Sequence, residues 1–204
     1  MKFVDLKTKL KDFIVFTQQD IKTLDPEFSR QNLSEWQKKG YIKKIIKGFY
    51  VFAELEINDQ ILFTISNKLF EPSYISLEMA LSYYHLIPEA VYGITAASSR
   101  NTYKFKTLLG SFIYKKIKPE LMFGYKLVRY KNYTFKMAEI EKAVLDYFYI
   151  KPHLKTEDDF YELRINKDSL FEQIKIKKLN SYLKLFNNKS LSDRVGKFVR
   201  FMKG

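Results

Sequence analysis

The 204 residues carry 36 Lys and Arg against 23 Asp and Glu, a net charge of +13, with 46% hydrophobic residues and no cysteine. That composition favours a packed core over disorder, and the missing thiols exclude disulfides, cysteine nucleophiles and cysteine-based zinc frameworks. No apolar run approaches the roughly 18 residues of a membrane span, so a soluble, unsecreted, cytoplasmic protein is expected, and the length fits a small unit attached to a medium one.

The spacing of Phe3, Leu6 and Leu10 predicts a first short helix with one apolar face. After a break at Val15-Phe16, Thr17 and Asp20 signal the start of a second, with Ile21 and Leu24 inward. Asp25-Pro26 then marks the start of a third helix running to about Lys39 and ended by Gly40, because Asp caps free amides and Pro fits the first helical position. Projection of that helix places Phe28, Leu33 and Trp36 on one arc and Arg30, Gln31, Ser34, Gln37 and Lys38 on the opposite one, polar and nearly free of acid. Beyond Gly40 the period turns twofold: Tyr41 to Ile46, a Lys47-Gly48 turn, and Phe49 to Phe52 form a basic hairpin.

Three helices and such a hairpin make a winged helix-turn-helix over residues 1–52. In it Arg30, Gln31 and Ser34 would read base edges. Ser29, Gln37, Lys38, Lys43, Lys44 and Lys47 would contact phosphates. A merely solvated helix face is the plain alternative.

Residues 53–204 read as an α+β unit. Asn58 to Leu69 has helical spacing with Asn58 as cap, and Ser76 with Met79, Ala80 and Tyr83 reads as another capped helix, stopping before Ile87-Pro88. Strands are expected at Val91 to Ala96, Tyr103 to Lys106, Ser111 to Ile117, Tyr125 to Tyr130 and Tyr133 to Met137, in a mainly antiparallel sheet. Ala138 to Ile150 returns to helical period, with Lys142 and Asp146 a candidate i, i+4 pair. From Thr156 the chain is a helical tail, increasingly basic. Residues 1–52 hold 11 Lys and Arg against 6 acids, residues 53–163 hold 14 against 14, and residues 164–204 hold 11 against 3. The excess lies at both ends, as expected of a nucleic-acid partner, although a lysine-rich composition alone would also raise it.

Catalysis requires convergent groups, and no common set is found. His85 and His153 stand far apart without carboxylates at metal-ligand spacing, and no glycine-rich phosphate loop occurs, so neither metal nor cofactor is expected. Ser98-Ser99-Arg100 lacks the context of a nucleophile elbow. Glu139 and Glu141, about 200° apart on a helix, would not address one substrate, and Asp158-Asp159 fits the first turn of a helix capped by Thr156. In the tail, Ile174, Ile176, Leu179, Tyr182, Leu183 and Phe186 among Lys175, Lys177, Lys178 and Lys184 read as a packed helix with a basic outer face. A second surface for DNA or RNA, with Tyr182 interleaving, is the sharper reading.

The string Trp36-x-x-x-Gly40-Tyr41-Ile42-x-x-Ile45-x-Lys47-Gly48-Phe49-Tyr50 resembles the wing signature of the AbiE-type antitoxin family of bacterial type IV toxin–antitoxin systems. Tyr74 to Leu81 with Leu86 to Val91, Gly110 to Tyr114, and Ala138-x-x-Glu141-Lys142-Ala143-x-Leu145-Asp146 follow in the family's order, so the likeness covers roughly residues 1–150. The resemblance implies a non-enzymatic repressor that binds the operator of its own operon as double-stranded DNA. It further implies that the second unit counteracts a nucleotidyltransferase-like toxin, not necessarily through a stable complex. Ser76, Glu78, Glu141, Lys142 and Asp146 are the motif residues it marks in that unit. A stand-alone winged-helix regulator, or a protein-interaction module without a toxin partner, is the alternative.

Overall fold

A computed structural model of the chain describes residues 1–88 and 91–204. It opens with α1 (Phe3–Lys9), the short strand β1 (Phe16–Thr17) and α2 (Gln18–Leu24). The apolar face predicted for α1 is the one buried, with Leu6 and Leu10 inside and Phe3 packed against Trp36 and Tyr41. At the start of α2 the Thr17 hydroxyl accepts from the Asp20 amide, and the Asp20 carboxylate accepts from the Thr17 amide at 2.7 Å. Two amides that a helix start leaves unpaired are thereby satisfied. Leu24, expected inward, is 37% exposed, because α2 ends there and the chain leaves it in an extended conformation at Asp25.

The third helix, α3 (Arg30–Lys38), begins four residues after Pro26. Residues 25–28 form a turn in which the Phe28 amide donates to the Asp25 carbonyl at 3.0 Å, and the Asp25 carboxylate is taken by the Met1 amino group at 2.8 Å. Ser29 caps the helix instead, accepting from the Gln31 amide at 3.3 Å. The competing force is burial: Phe28 is drawn beneath Trp36, ring centroids 5.5 Å apart. The predicted hairpin follows as β2 (Ile42–Ile46) and β3 (Phe49–Phe52), with a bulge after Lys44 and a turn at Gly48, whose φ of +88° favours glycine. β1 pairs with the far side of β3, giving the order β1-β3-β2.

Next come α4 (Asp59–Leu69), capped by Asn58 as predicted, β4 (Ser73–Ile75), α5 (Leu77–Tyr83) and β5 (Ile94–Ser98). β6 (Tyr103–Thr107), β7 (Gly110–Lys116), β8 (Tyr125–Tyr130), β9 (Tyr133–Ala138) and α6 (Ile140–Ile150) follow, with a 3-10 turn at Pro119–Leu121. Strand order is β6-β7-β5-β4-β9-β8. The sheet is mixed rather than mainly antiparallel, since β4 runs parallel to β9 and β5 parallel to β7. Both parallel pairs arise because a later strand inserts beside an earlier one. β4, which the sequence reading lacked, is central: three buried residues directly before the α5 cap leave no alternation to detect. The strand expected from Val91 starts at Ile94 and is buried throughout, as a central strand requires.

Successive residues of a strand face opposite sides of the sheet. Tyr114 and Phe135 point toward α4, where the Tyr114 hydroxyl donates to the Ser66 carbonyl at 2.8 Å and Phe63 packs edge-on against Phe135. Tyr74 and Thr95 point the other way, toward α6 and α5. The helical tail is α7 (Glu157–Glu162), α8 (Lys167–Gln173), α9 (Ile176–Phe186) and α10 (Lys189–Lys203). Thr156 and Asp159 cap α7 reciprocally, as their spacing predicts. The buried Arg194 of α10 donates to the Phe148 carbonyl at 2.8 Å, bringing a cation to the C-terminal end of α6, whose last turn has no basic residue of its own.

Among the described residues two hydrophobic clusters form the core. The smaller contains Leu6, Leu10, Phe16, Ile21, Phe28, Leu33, Trp36, Ile42 and Tyr50. The larger fills the second unit and also takes in Ile14, Val15, Ile45 and Val51 from the first fifty-two residues. Among the described residues no helix is long and apolar enough to cross a membrane.

Candidate functional site

Burial of Leu33 and Trp36 fixes how α3 is rolled, and the opposite side of the helix is left to solvent. Arg30, Gln31, Ser34 and Lys38 are exposed, while Gln37 is half-buried and donates from its side-chain amide to the Leu33 carbonyl at 3.0 Å. Ser29 stands at the helix start with its hydroxyl engaged as the cap. Among the described residues Arg30 and Lys38 have no ion-pair partner, so their charge is available to an outside anion. Glu35, exposed on the same helix, bounds this face on one side.

The hairpin distributes its lysines unequally. Lys43, Lys44 and Lys47 are all exposed, but adjacent strand residues point to opposite faces. Ile42, two positions from Lys44, belongs to the cluster under α3, and Lys44 lies opposite Tyr50 of that cluster. Lys43 lies opposite Val51, which belongs to the larger cluster. Lys44 therefore shares the α3 side of the ribbon, Lys47 sits at its tip, and Lys43 is turned toward the second unit. The first unit can thus present guanidinium, amide, hydroxyl and ammonium groups together, the donor set that base edges and phosphates accept.

The residues marked in the second unit divide between two places. Ser76, Lys142 and Asp146 meet in a buried cluster that also contains Tyr74. The Tyr74 and Ser76 hydroxyls each donate to Asp146 Oδ2 at 2.8 Å, Lys142 Nζ donates to Asp146 Oδ1, and it lies 2.7 Å from the Tyr74 oxygen. Helical spacing puts Lys142 and Asp146 one turn apart, and α6 lies against β4, which brings in Tyr74. Ser76 begins α5 as expected, but its hydroxyl serves Asp146 rather than capping the helix. Phe123 and Phe186 close over the Lys142 ammonium, 5.1 and 4.9 Å from it to their ring centroids. Lys142 and Asp146 side chains have 0% exposure. Burial pushes the Lys142 pKa down against the opposing pull of Asp146, and burial with the Asp146 charge pushes the Tyr74 hydroxyl well up. The Ser76 side chain is buried with them.

Glu78 and Glu141 lie outside that cluster. Glu78 pairs with Lys151 at 2.7 Å, and Glu141 accepts from the Lys175 amide at 2.9 Å. Glu139 and Glu141, expected to diverge, share one cation: Lys178 of α9 lies 2.8 Å from Glu139 and 3.8 Å from Glu141. The helical projection fails because Glu139 is the extended residue before α6, not part of it. Burial alone would raise the Glu139 pKa, but Lys178 and the Tyr182 hydroxyl outweigh it and hold the carboxyl below its ordinary range. Tyr182 is thus engaged by Glu139 and by the Phe123 ring. Of the tail lysines, Lys175, Lys177 and Lys184 remain exposed.

Sequence reasoning missed Tyr74, Phe123 and Arg194 as partners of α6, since nothing local to them announces the helix they meet. Ser98 and Ser99 fall at a strand end, where the Ser98 hydroxyl donates to the Pro72 carbonyl at 2.7 Å. Among the described residues no group of three or more His, Asp and Glu could hold a metal ion. No protein-family model matches the chain, and no curated protein matches it in sequence.

Proposed function

We propose that the protein is a cytoplasmic, non-enzymatic DNA-binding antitoxin of the type IV class, whose first fifty-two residues act as a winged helix-turn-helix on the operator of its own operon. In this reading α3 enters the major groove with Arg30, Gln31 and Ser34 toward base edges, while Lys38, Lys44 and Lys47 neutralise phosphates. Lys43, on the other face of the ribbon, is a secondary contact. The second unit counteracts a nucleotidyltransferase-like toxin, in keeping with the sequence resemblance. The observation that carries the proposal is the solvent-facing side of α3, cationic and without ion pairs among the described residues, beside a lysine-bearing hairpin.

Titration of the promoter region upstream of the gene at two salt concentrations tests it. Arg30→Ala should cost on the order of 1–3 kcal/mol and relax specificity, whereas Lys47→Ala should weaken all sequences alike and lower the salt slope by about one. Equal, sequence-independent losses in both variants would remove Arg30 from base reading. A stable stoichiometric complex with the neighbouring gene product, without promoter binding, would favour a protein-interaction module instead.

A further inference from the structure

A cleft of about 730 Å³ opens between the β2–β3 hairpin and the edge strand β6 of the large sheet. Its size falls within the roughly 300–1,000 Å³ of small-molecule sites. Its walls come from separate elements: Ile46 and Phe49 of the hairpin, Phe70 after α4, and Tyr103 and Phe105 of β6. Phe70, Phe105 and Tyr114 already pack as a ring cluster, with Phe70 and Tyr114 centroids 4.6 Å apart. Tyr103 extends that cluster into solvent, parallel to Phe70 within 16° and still 53% exposed. An aromatic face left open in a concave surface is a stacking platform.

The charge of the cleft is one-signed. Among the described residues Arg100 is the only ionisable group other than tyrosine lining it, and no carboxylate does. Its guanidinium is held 4.2 Å above the Phe70 ring centroid and donates to the Glu71 carbonyl at 3.2 Å. That posture fixes the planar fork in place and leaves other N–H groups for an anion. Beside it, among the described residues, the Ser99 hydroxyl makes no hydrogen bond, and Asn101 accepts from Lys116 Nζ at 3.0 Å, its NH2 group making none. A purely aliphatic ligand would waste the guanidinium, and a bare phosphate would waste the rings.

We infer that this cleft binds a nucleotide, an aromatic base stacked on Tyr103 with its phosphate on Arg100. The base and phosphate come either from a free mononucleotide or from an unpaired nucleotide of a strand. The site is independent of whether α3 reads duplex DNA.

Isothermal titration of the full chain with AMP, adenosine and a single-stranded tetranucleotide of deoxyadenosine tests the inference. AMP should bind about tenfold or more tighter than adenosine, the worth of a charge-assisted hydrogen bond. Arg100→Gln should abolish that preference, and Tyr103→Ala should weaken AMP and adenosine alike by about tenfold, the loss of one stacking face. Lys197→Gln, an equal charge change on exposed α10, should alter nothing. Tighter binding of the tetranucleotide than of AMP assigns the site to a strand, and the reverse assigns it to a free nucleotide; either upholds the site. Three results overturn it: no saturable binding of AMP or tetranucleotide at millimolar concentration, equal affinity for AMP and adenosine in the unaltered protein, or equal losses in Arg100→Gln and Lys197→Gln.

Discussion

Lys142 spends its charge entirely inside the protein, on Asp146, the Tyr74 oxygen and two aromatic faces. Removing one member of such a pair strands a buried charge, at a cost of about 3–5 kcal/mol, whereas removing both leaves only hydroxyls without an acceptor. Lys142→Met and Asp146→Leu should each lower stability in urea unfolding by that amount, and the double variant should lose at least about 1 kcal/mol less than the sum. Strict additivity would show that the two side chains are not coupled. Asp159 offers a second residue-scale test. Hydrogen bonds from the Lys155 and Thr156 amides, and from the Thr156 hydroxyl, hold its pKa at about 2 against an ordinary 3.8. A carboxyl depressed on folding adds stability above pH 3.8 and loses it as pH falls toward 2. Asp159→Asn should therefore flatten the acid limb of a thermal-melt series between those two values, with the unaltered protein losing its advantage only there.

At the scale of elements, α9 acts as the cover of the buried ion pair. It is tied down by Lys178 and Tyr182 to Glu139 and packed through Leu179 and Phe186. Gly124 lies beneath it at φ +68°, and a Cβ there would stand 2.9 Å from the Tyr182 ring and 3.1 Å from the Lys142 stem. Gly124→Ala combines an unfavourable backbone conformation with a contact that forces the cover to move. A loss of at least about 1 kcal/mol is expected. A marked shift of the Tyr182 ring resonances in NMR spectra should accompany it, and an unshifted Tyr182 would place the strain elsewhere. Elements also mark where local signals suffice. Capping boxes at Thr17 and Thr156 and the Asn58 cap lie where their spacing puts them, because each partner is three residues away. Pro26 misleads because the pull on Phe28 comes from Trp36, eight positions on, and outweighs a terminal preference of about 1 kcal/mol.

Over the whole molecule, the hairpin is shared between two cores. Ile42 and Tyr50 serve the one under α3, while Ile45 and Val51, with Ile14 and Val15, serve the other. Residues 1–52 expressed alone should expose those four apolar side chains, bind a hydrophobic dye and exchange hairpin amides faster than in the full chain. Equal protection in both would make the first unit an autonomous domain. The sequence by itself determined the places of α1, α2, α4, α5 and α6, the hairpin, the arc of α3 that is buried and the one-turn pairing of Lys142 with Asp146. Each follows from a periodicity or a cap read within a few residues. Only the tertiary structure decided that the sheet is mixed, that Ser76 and Tyr74 converge on Asp146 from 70 and 72 positions away, and that Lys178 joins Glu139 to Glu141. Those contacts depend on which buried surfaces exclude water together, a property of the assembled chain that no local stretch of residues carries.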